Sequence, residues 1–200
     1  KSFCISLSLF CIVYAFADIS NAQTTSSWER ISPLPQEQTL NAVATIPVTN
    51  TLVAVGEGST VMISNDAAET WEIIHNPAGM NNYYKTFDIH FINSTTGFIC
   101  GDKESVLKTL DAGYTWYVVK SGSGGNNAFF HDITFINDSV AYATANGGRL
   151  FISLDFGESW QLDGSSFSKG LGRFVTREEN QYTISSTDRY VYLTEDGGRE

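Results

Sequence analysis

Apolar and polar residues alternate along several short segments of this chain, and the alternation recurs at a fixed interval. Residues 87–93 (FDIHFIN) and 131–137 (HDITFIN) share a two-residue period at the same place in a repeat, which predicts equivalent half-buried strands. Beyond residue 22 no segment shows a convincing helical period. The pattern therefore predicts an all-β protein assembled from repeats of four short strands.

Three further strands are predicted in each repeat. The second strands are 52–56, 97–101, 141–145 and 182–185; the third are 61–64, 106–109, 150–153 and 190–194; the fourth are 71–74, 116–119 and 160–162. Each fourth strand begins with tryptophan. All four tryptophans of the chain, Trp28, Trp71, Trp116 and Trp160, fall on this one repeat of about 44 residues.

An octapeptide of the form S/T-x-D-x-G-x-S/T-W ends at three of the tryptophans. The copies are 64–71 (SNDAAETW), 109–116 (TLDAGYTW) and 153–160 (SLDFGESW), and 194–200 (TEDGGRE) is a fourth, partial copy. The aspartate can accept backbone N–H groups that a hairpin turn leaves unpaired, and the glycine permits a positive φ. A structural role in these turns is predicted for Asp66, Trp71, Asp111, Gly113, Trp116, Asp155, Gly157, Trp160, Asp196 and Gly198. Because Ala68 replaces the glycine in the first copy, we expect a distorted turn there.

These turns resemble the Asp box, or BNR repeat, of sialidases and related propellers. The longer pattern F-I-N…G-F-I-C-G…T-L-D-A-G-Y-T-W over residues 91–116 is most similar to the photosystem II stability and assembly factor-like propellers found in secreted bacterial proteins. The resemblance covers residues 28–200. It implies an all-β fold, a β-propeller of four-stranded blades with Asp-box hairpins, of which about three full blades and most of a fourth are expected here.

The expected organisation is a secretory signal peptide followed by part of a propeller. Residues 1–22 combine a basic residue, the uncharged run 3–16 and small residues before Gln23, as signal peptides do. Residues 23–200 then hold blades at about 40–76, 86–121, 131–163 and 170–200. A strand at 28–31 is expected to close a last, missing blade. Secretion, or a periplasmic or cell-surface location, follows, with no integral membrane segment in the mature part.

The formal net charge of −10 disfavours nucleic acid, because 12 basic residues face 22 acidic ones. Cys100 is the one cysteine left after signal removal and cannot form an intramolecular disulfide. His75, His90 and His131 lack the spacing of metal ligands. We therefore expect no metal and no cofactor.

The candidate binding residues lie in the loops that join blades and in the turns between second and third strands. The blade-linking loops combine asparagines with aromatic residues, which suits a protein or carbohydrate partner. The candidates are Tyr83, Tyr84, Asn126, Asn127, Phe129, Arg149 and Arg189. For each aromatic residue the alternative is inward packing, and for each arginine it is a solvated turn.

The scaffold is clear and no catalytic constellation accompanies it. The sequence therefore favours a secreted, non-catalytic module that binds a protein or a glycan through this loop face. One alternative is a glycoside hydrolase, sialidase-like or of the Asp-box endoglucanase kind, with its catalytic residues in a missing C-terminal part. A second alternative is a photosystem II assembly factor.

Overall fold

The computed structural model describes residues 37–74, 85–120, 128–165, 167–178, 180–187 and 189–195, with the side chains of 177 and 178 excluded. The chain divides into two compact units, Lys1–Arg30 and Ile31–Glu200. Every described residue belongs to the second unit. The expected signal peptide, Trp28 and the strand at 28–31 therefore lie outside the described residues.

Fifteen β-strands account for most of the described residues. In chain order they are β1 Leu40–Thr45, β2 Leu52–Gly56, β3 Val61–Ser64, β4 Glu72–Ile74, β5 Thr86–Phe91, β6 Gly97–Gly101, β7 Val106–Thr109, β8 Tyr117–Lys120, β9 Phe130–Phe135, β10 Ala141–Ala145, β11 Arg149–Ser153, β12 Gln161–Leu162, β13 Leu171–Glu178, β14 Gln181–Ser186 and β15 Val191–Thr194. A single 3₁₀ turn, Glu57–Ser59, interrupts them, and the described residues contain no α-helix. No described helix is long and apolar enough to cross a membrane.

The strands form four antiparallel sheets in simple sequence order. Sheets 1, 2 and 3 have four strands each, β1–β4, β5–β8 and β9–β12, and sheet 4 has the three strands β13–β15. Within each sheet, every strand pairs with its neighbour in the chain. All hairpins between third and fourth strands therefore lie at one end of the sheets, together with the connections between first and second strands. We call this end the turn face and the opposite end, which carries the sheet-to-sheet connections, the loop face.

Successive sheets pack against each other through apolar clusters. Val53 and Ile63 of sheet 1 meet Ile99 and Trp116 of sheet 2, and the same arrangement recurs between sheets 2 and 3 and between sheets 3 and 4. The first strands are also neighbours, because β5 contacts both β1 and β9, and β9 contacts β13. First strands therefore line the inner edge of the sheets.

Burial follows the position of a strand within its sheet. The second strands β6 (GFICG) and β10 (AYATA) are buried at every residue, because they are covered by a sheet on each side. The fourth strand β12 is exposed at both residues. This gradient explains why the second strands are continuous apolar and small-residue runs, whereas the first strands alternate.

Candidate functional site

In each described turn motif, both carboxylate oxygens of the aspartate accept hydrogen bonds from the same hairpin. Asp111 Oδ1 accepts hydrogen bonds from the Thr115 N–H (2.8 Å) and from Thr109 Oγ1 (2.8 Å), and Oδ2 accepts one from Thr115 Oγ1 (2.7 Å). Asp66 and Asp155 accept the equivalent bonds. The side-chain hydrogen bond from Thr70 lowers the pKa of Asp66, and the one from Ser159 lowers the pKa of Asp155. These carboxylates stabilise the turns, while Asp196 and Gly198 lie outside the described residues.

The prediction that Ala68 distorts the first turn is wrong for its backbone. Ala68 has a φ of 76°, the same as Gly157, and its N–H donates to Ser64 Oγ at 2.9 Å. Gly113 makes the equivalent bond to Thr109 Oγ1 at 3.0 Å. The hydrogen bonds of the turn hold an alanine in the left-handed region, at the steric cost that a Cβ brings there.

We expect replacement of Ala68 by glycine to raise the free energy of unfolding by about 0.5–1 kcal/mol, because glycine removes this steric cost. Urea unfolding followed by circular dichroism measures the change. The matched control is Gly113→Ala, which should lose about 1 kcal/mol because an alanine is placed at a φ of 96°. A loss of stability in Ala68→Gly would show that the turn does not strain Ala68.

The tryptophans, in contrast, distinguish the first turn from the other two. The indole N–H of Trp116 donates to the Gly113 carbonyl at 2.8 Å, and that of Trp160 donates to the Gly157 carbonyl at 3.1 Å. The indole nitrogen of Trp71 is buried and has no hydrogen-bond partner among the described residues. The first turn therefore lacks the hydrogen bond from indole to carbonyl that the second and third turns form, and the buried Trp71 donor is left at an energetic cost.

The first strand of every sheet carries a β-bulge at the same place. Register shifts occur between Leu40 and Ala42, Thr86 and Asp88, Phe130 and Asp132, and Leu171 and Phe174. The first paired residue after the bulge is Ala42, Asp88 or Asp132 in sheets 1 to 3. In sheet 4 the bulge is longer, the first paired residue is Phe174, and Arg173 lies within the bulge. Because a bulge redirects its side chains, these positions place side chains at the inner edge of the sheets.

Asp88, Asp132 and Arg173 meet at this inner edge and connect three sheets. Arg173 Nη1 donates to Asp88 Oδ1 and to Asp132 Oδ1, each at 2.8 Å. The second oxygens also accept bonds from the next sheet: Asp88 Oδ2 from the Ile133 N–H at 3.1 Å, and Asp132 Oδ2 from the Phe174 N–H at 3.0 Å. We call these three residues the axial cluster. All four of its carboxylate oxygens are hydrogen-bonded within the protein.

The electrostatics of the axial cluster are dominated by burial. The pKa of Asp88 is raised to about 6 by burial and by the neighbouring Asp132 carboxylate, against the hydrogen bonds from the Ile133 N–H and Arg173, which lower it. The hydrogen bond with Asp88 raises the pKa of Arg173, so the guanidinium stays charged. The Arg173 side chain is 60% exposed although its two carboxylates are buried. The rest of the guanidinium is thus accessible to a ligand.

A cavity of about 630 Å³ opens beside the axial cluster. Its walls are apolar residues of sheet 1, including Ala42, Val43 and Trp71, and its polar groups are Asp88 and Arg173 together with Asn41. Apolar walls with a few convergent polar groups are the usual composition of a ligand site. We call this space the axial cavity and take it as the candidate functional site.

Three rings lie at the loop face beside the first-strand bulges. The Phe129 ring packs against Phe87 (5.3 Å between centroids) and edge-on against His131 (4.7 Å), and all three residues are half-buried. Burial lowers the pKa of His131, which favours the neutral imidazole at neutral pH. Phe129, a binding candidate from the sequence, therefore belongs to a group of three rings that pack against each other and remain partly exposed to solvent.

The other sequence candidates are dispersed. Arg149 is paired with the buried Glu104 of sheet 2, and its Nη2 donates to Asn146 Oδ1 at 3.2 Å, so it connects two sheets. Arg189 lies exposed in the turn between β14 and β15. Tyr83, Tyr84, Asn126, Asn127 and His75 lie outside the described residues. Cys100 is fully buried in β6, and burial raises the pKa of its thiol.

Sequence reasoning missed the axial cluster, although part of the signal was present. Asp88 and Asp132 occupy the same position of the repeated F-D-I-H-F and H-D-I-T-F segments, where an acidic residue sits within an otherwise half-buried strand. Arg173 gave no such signal, because G-R-F-V-T does not align by sequence with these segments. Its pairing with both aspartates depends on the packing of three sheets.

The fold and the turn geometry define a BNR-like β-propeller, incomplete over the described residues. The model of the photosynthesis system II assembly factor YCF48 family matches residues 19–123. Since this match covers more than half of the 200 residues, the chain belongs to that family. No curated protein sequence matches the chain significantly.

Solved propellers show the same fold at low sequence identity. YCF48 bound to D1 peptide superposes with a TM-score of 0.61 at 20% identity, over 79% of this chain and 54% of that one. YCF48 from Cyanidioschyzon merolae gives 0.64 at 18% identity, over 81% and 52%. An ancestral GH74 enzyme gives 0.65 at 19% identity, over 86% and 24%. The chain thus spans about half the length of the YCF48 structures.

Proposed function

We propose that this chain is a non-catalytic binding module and that it holds an extended segment of a partner protein in the axial cavity. The observation that carries the proposal is the composition of that cavity. Its apolar walls, which include the Trp71 ring, are joined by one accessible donor, the free edge of the Arg173 guanidinium. An extended peptide presents carbonyl oxygens and side chains that fit both kinds of group.

The comparisons support a protein as the partner. YCF48, whose family includes this chain, is described in complex with a D1 peptide. GH74 enzymes share the fold at 19% identity or less, which carries no information on activity. The axial carboxylates also have every oxygen hydrogen-bonded within the protein, which favours binding over proton transfer.

The proposal extends to location. Residues 1–22 have the composition of a signal peptide, and we propose that the module acts after export, at the cell surface, in the periplasm or in the medium. A glycan partner, a glycoside hydrolase and a photosystem II assembly factor remain the alternatives. A binding experiment with both ligands distinguishes a peptide partner from a glucan partner. It also distinguishes binding of the glucan from its hydrolysis.

The test is calorimetric titration of the protein with a synthetic D1 peptide and, in parallel, with a xyloglucan oligosaccharide. We expect the peptide to bind and Trp71→Phe to weaken its binding about five- to tenfold, because the smaller ring removes apolar contact area from the wall of the axial cavity. Trp160→Phe is the matched control, because it makes the same change at a tryptophan outside the axial cavity.

Other outcomes contradict the proposal. If both variants weaken peptide binding equally, the cause is a general loss of protein stability and not a change in the axial cavity. Binding of the oligosaccharide alone would replace the peptide with a glycan, and release of shorter sugars would establish the hydrolase. Peptide binding that Trp71→Phe leaves unchanged would move the site elsewhere on the protein.

A further inference from the structure

A second surface is formed by exposed residues of the turn face. Five large apolar residues are exposed there: Val48 in the β1–β2 connection, Leu110 and Tyr114 in the second turn, and Leu154 and Phe156 in the third. Val48 is 98% exposed and Phe156 is 55% exposed. We call these five residues the apolar patch.

The turns themselves do not require the apolar patch. The first turn has the same hydrogen bonds with Asn65 at the position of Leu110 and Leu154, and with Ala67 at the position of Phe156. Asn65 and Ala67 show that the turn forms with small or polar residues at these positions. The hydrogen bonds of the turn therefore do not explain why the second and third turns have large apolar residues there.

Two members of the apolar patch are also held in an unfavourable backbone conformation. Phe156 has a φ of 61° and the β-branched Val48 a φ of 59°, both in the left-handed region that penalises bulky side chains. Neither gains the burial that would offset this cost within the protein. Such residues are expected where a surface is used for contact.

Polar contacts join the neighbouring turns that carry the apolar patch. The amide of Asn65 in the first turn donates to the Tyr114 hydroxyl in the second at 2.9 Å. Lys108, at the base of the second turn, donates to the Phe156 carbonyl in the third at 3.2 Å and pairs with Glu158. Neighbouring turns are thus connected side by side and form one surface.

The charges around the apolar patch are acidic. Glu69, Asp111, Asp138 and Glu158 are exposed in the same set of turns and connections. Among the described side chains of the turn face, Lys108 is the only basic group, and it is buried. The other described lysine and arginine side chains, among them Lys85, Lys120, Arg149, Arg173 and Arg189, lie toward the loop face.

We propose that the turn face is a docking surface for a partner protein that presents apolar residues among lysines and arginines. Complementary charge favours such a partner, and the apolar patch supplies the area that is buried on contact. The same acidic field repels an anionic lipid surface and the turn face of a second copy of this chain. None of the five residues of the apolar patch lines the axial cavity, and the proposal does not depend on the function proposed for that cavity.

The test uses a synthetic amphipathic peptide of leucine and lysine as the probe, titrated against the complete chain. We expect binding that weakens as salt is added, and no binding of the equivalent leucine and glutamate peptide. The variant Leu110→Asn/Leu154→Asn/Phe156→Ala copies the residues of the first turn and should weaken binding about tenfold or more. Its fold should persist, because the first turn forms with these residues.

The matched control is Leu162→Asn/Val175→Asn, which removes exposed apolar residues from strands outside the turn face and should leave binding unchanged. The proposal is overturned if the lysine peptide does not bind, or if the turn variant binds it as well as the unmodified protein does. Equal binding of the glutamate peptide would indicate unspecific adhesion. Preference for phosphatidylserine vesicles over the peptide would replace the protein partner with a membrane.

Discussion

Trp116→Ala is expected to lower the free energy of unfolding by about 3–5 kcal/mol, the range for removing a large buried aromatic side chain. Trp116 is 1% exposed, lies between sheets 1 and 2, and packs edge-on against Phe91 at 6.3 Å. Its loss opens a cavity between two sheets and leaves the Gly113 carbonyl without the indole donor. Urea unfolding followed by circular dichroism measures the loss.

Trp71→Ala is the matched control, because Trp71 occupies the same position of the first turn. It is half-buried and its indole N–H has no partner among the described residues, so its removal should cost about half as much or less. Equal losses at the two positions would contradict the proposed difference between the turns. A small loss at Trp116 would mean that the sheets close over the cavity.

Arg173→Met is expected to lower the free energy of unfolding by about 2–4 kcal/mol at neutral pH. The substitution leaves the buried carboxylates of Asp88 and Asp132 without their shared cation, and breaking a buried pair in this way is costly. We place the value somewhat below the range of about 3–5 kcal/mol known for buried pairs, because the Arg173 side chain is 60% exposed. Replacing Arg189, an exposed arginine of sheet 4, by methionine is the control and should change little.

The same cluster should make stability depend on pH in a defined direction. Asp88 has a folded-state pKa of about 6, raised from 3.8, so the folded protein binds more protons than the unfolded chain between these values. Protonated Asp88 therefore makes its full contribution to the free energy of unfolding below about pH 4. As the pH rises through about 6, this contribution is lost and the free energy of unfolding falls by about 3 kcal/mol or less.

Removing Arg173 removes a charge that lowers the pKa of Asp88, so the loss on raising the pH should be larger in Arg173→Met. Unfolding free energies measured from pH 4 to pH 8 give this difference. Arg173→Met/Asp88→Asn/Asp132→Asn should recover much of the stability at neutral pH, because no unpaired charge remains buried. If the triple variant is less stable than Arg173→Met, the guanidinium acts by packing and not by neutralising the two carboxylates.

The strand pattern could be predicted from the sequence because it depends on local periodicity. Residues 52–56, 97–101, 141–145, 61–64 and 106–109 are strands with the expected bounds. The fourth strands begin one residue after the tryptophan, because Trp71, Trp116 and Trp160 belong to the turns. Bounds of this kind depend on hydrogen bonding at the hairpin, to which residue periodicity is insensitive.

The site could be predicted less well, because it is built by packing between sheets. Ala68 was expected to distort the turn by the general rule on positive φ, but four hydrogen bonds in the turn outweigh that rule. Arg173 lies 85 residues from Asp88, and no local pattern relates them. The basic residues are dispersed along the sequence, yet the alternation of strand direction collects most of the described ones toward the loop face.

The bulge shared by the four first strands has a consequence for how such a chain can diversify. Duplicating a sheet also duplicates the bulge, so each new copy adds one side chain at the inner edge in a position that the backbone has already specified. Ala42, Asp88 and Asp132 show that this position accepts a small or an acidic residue while the strands around it keep their pairing, and the longer bulge of sheet 4 places the basic Arg173 beside them. Selection can therefore change the lining of the centre one substitution at a time, without rebuilding the repeat that carries it.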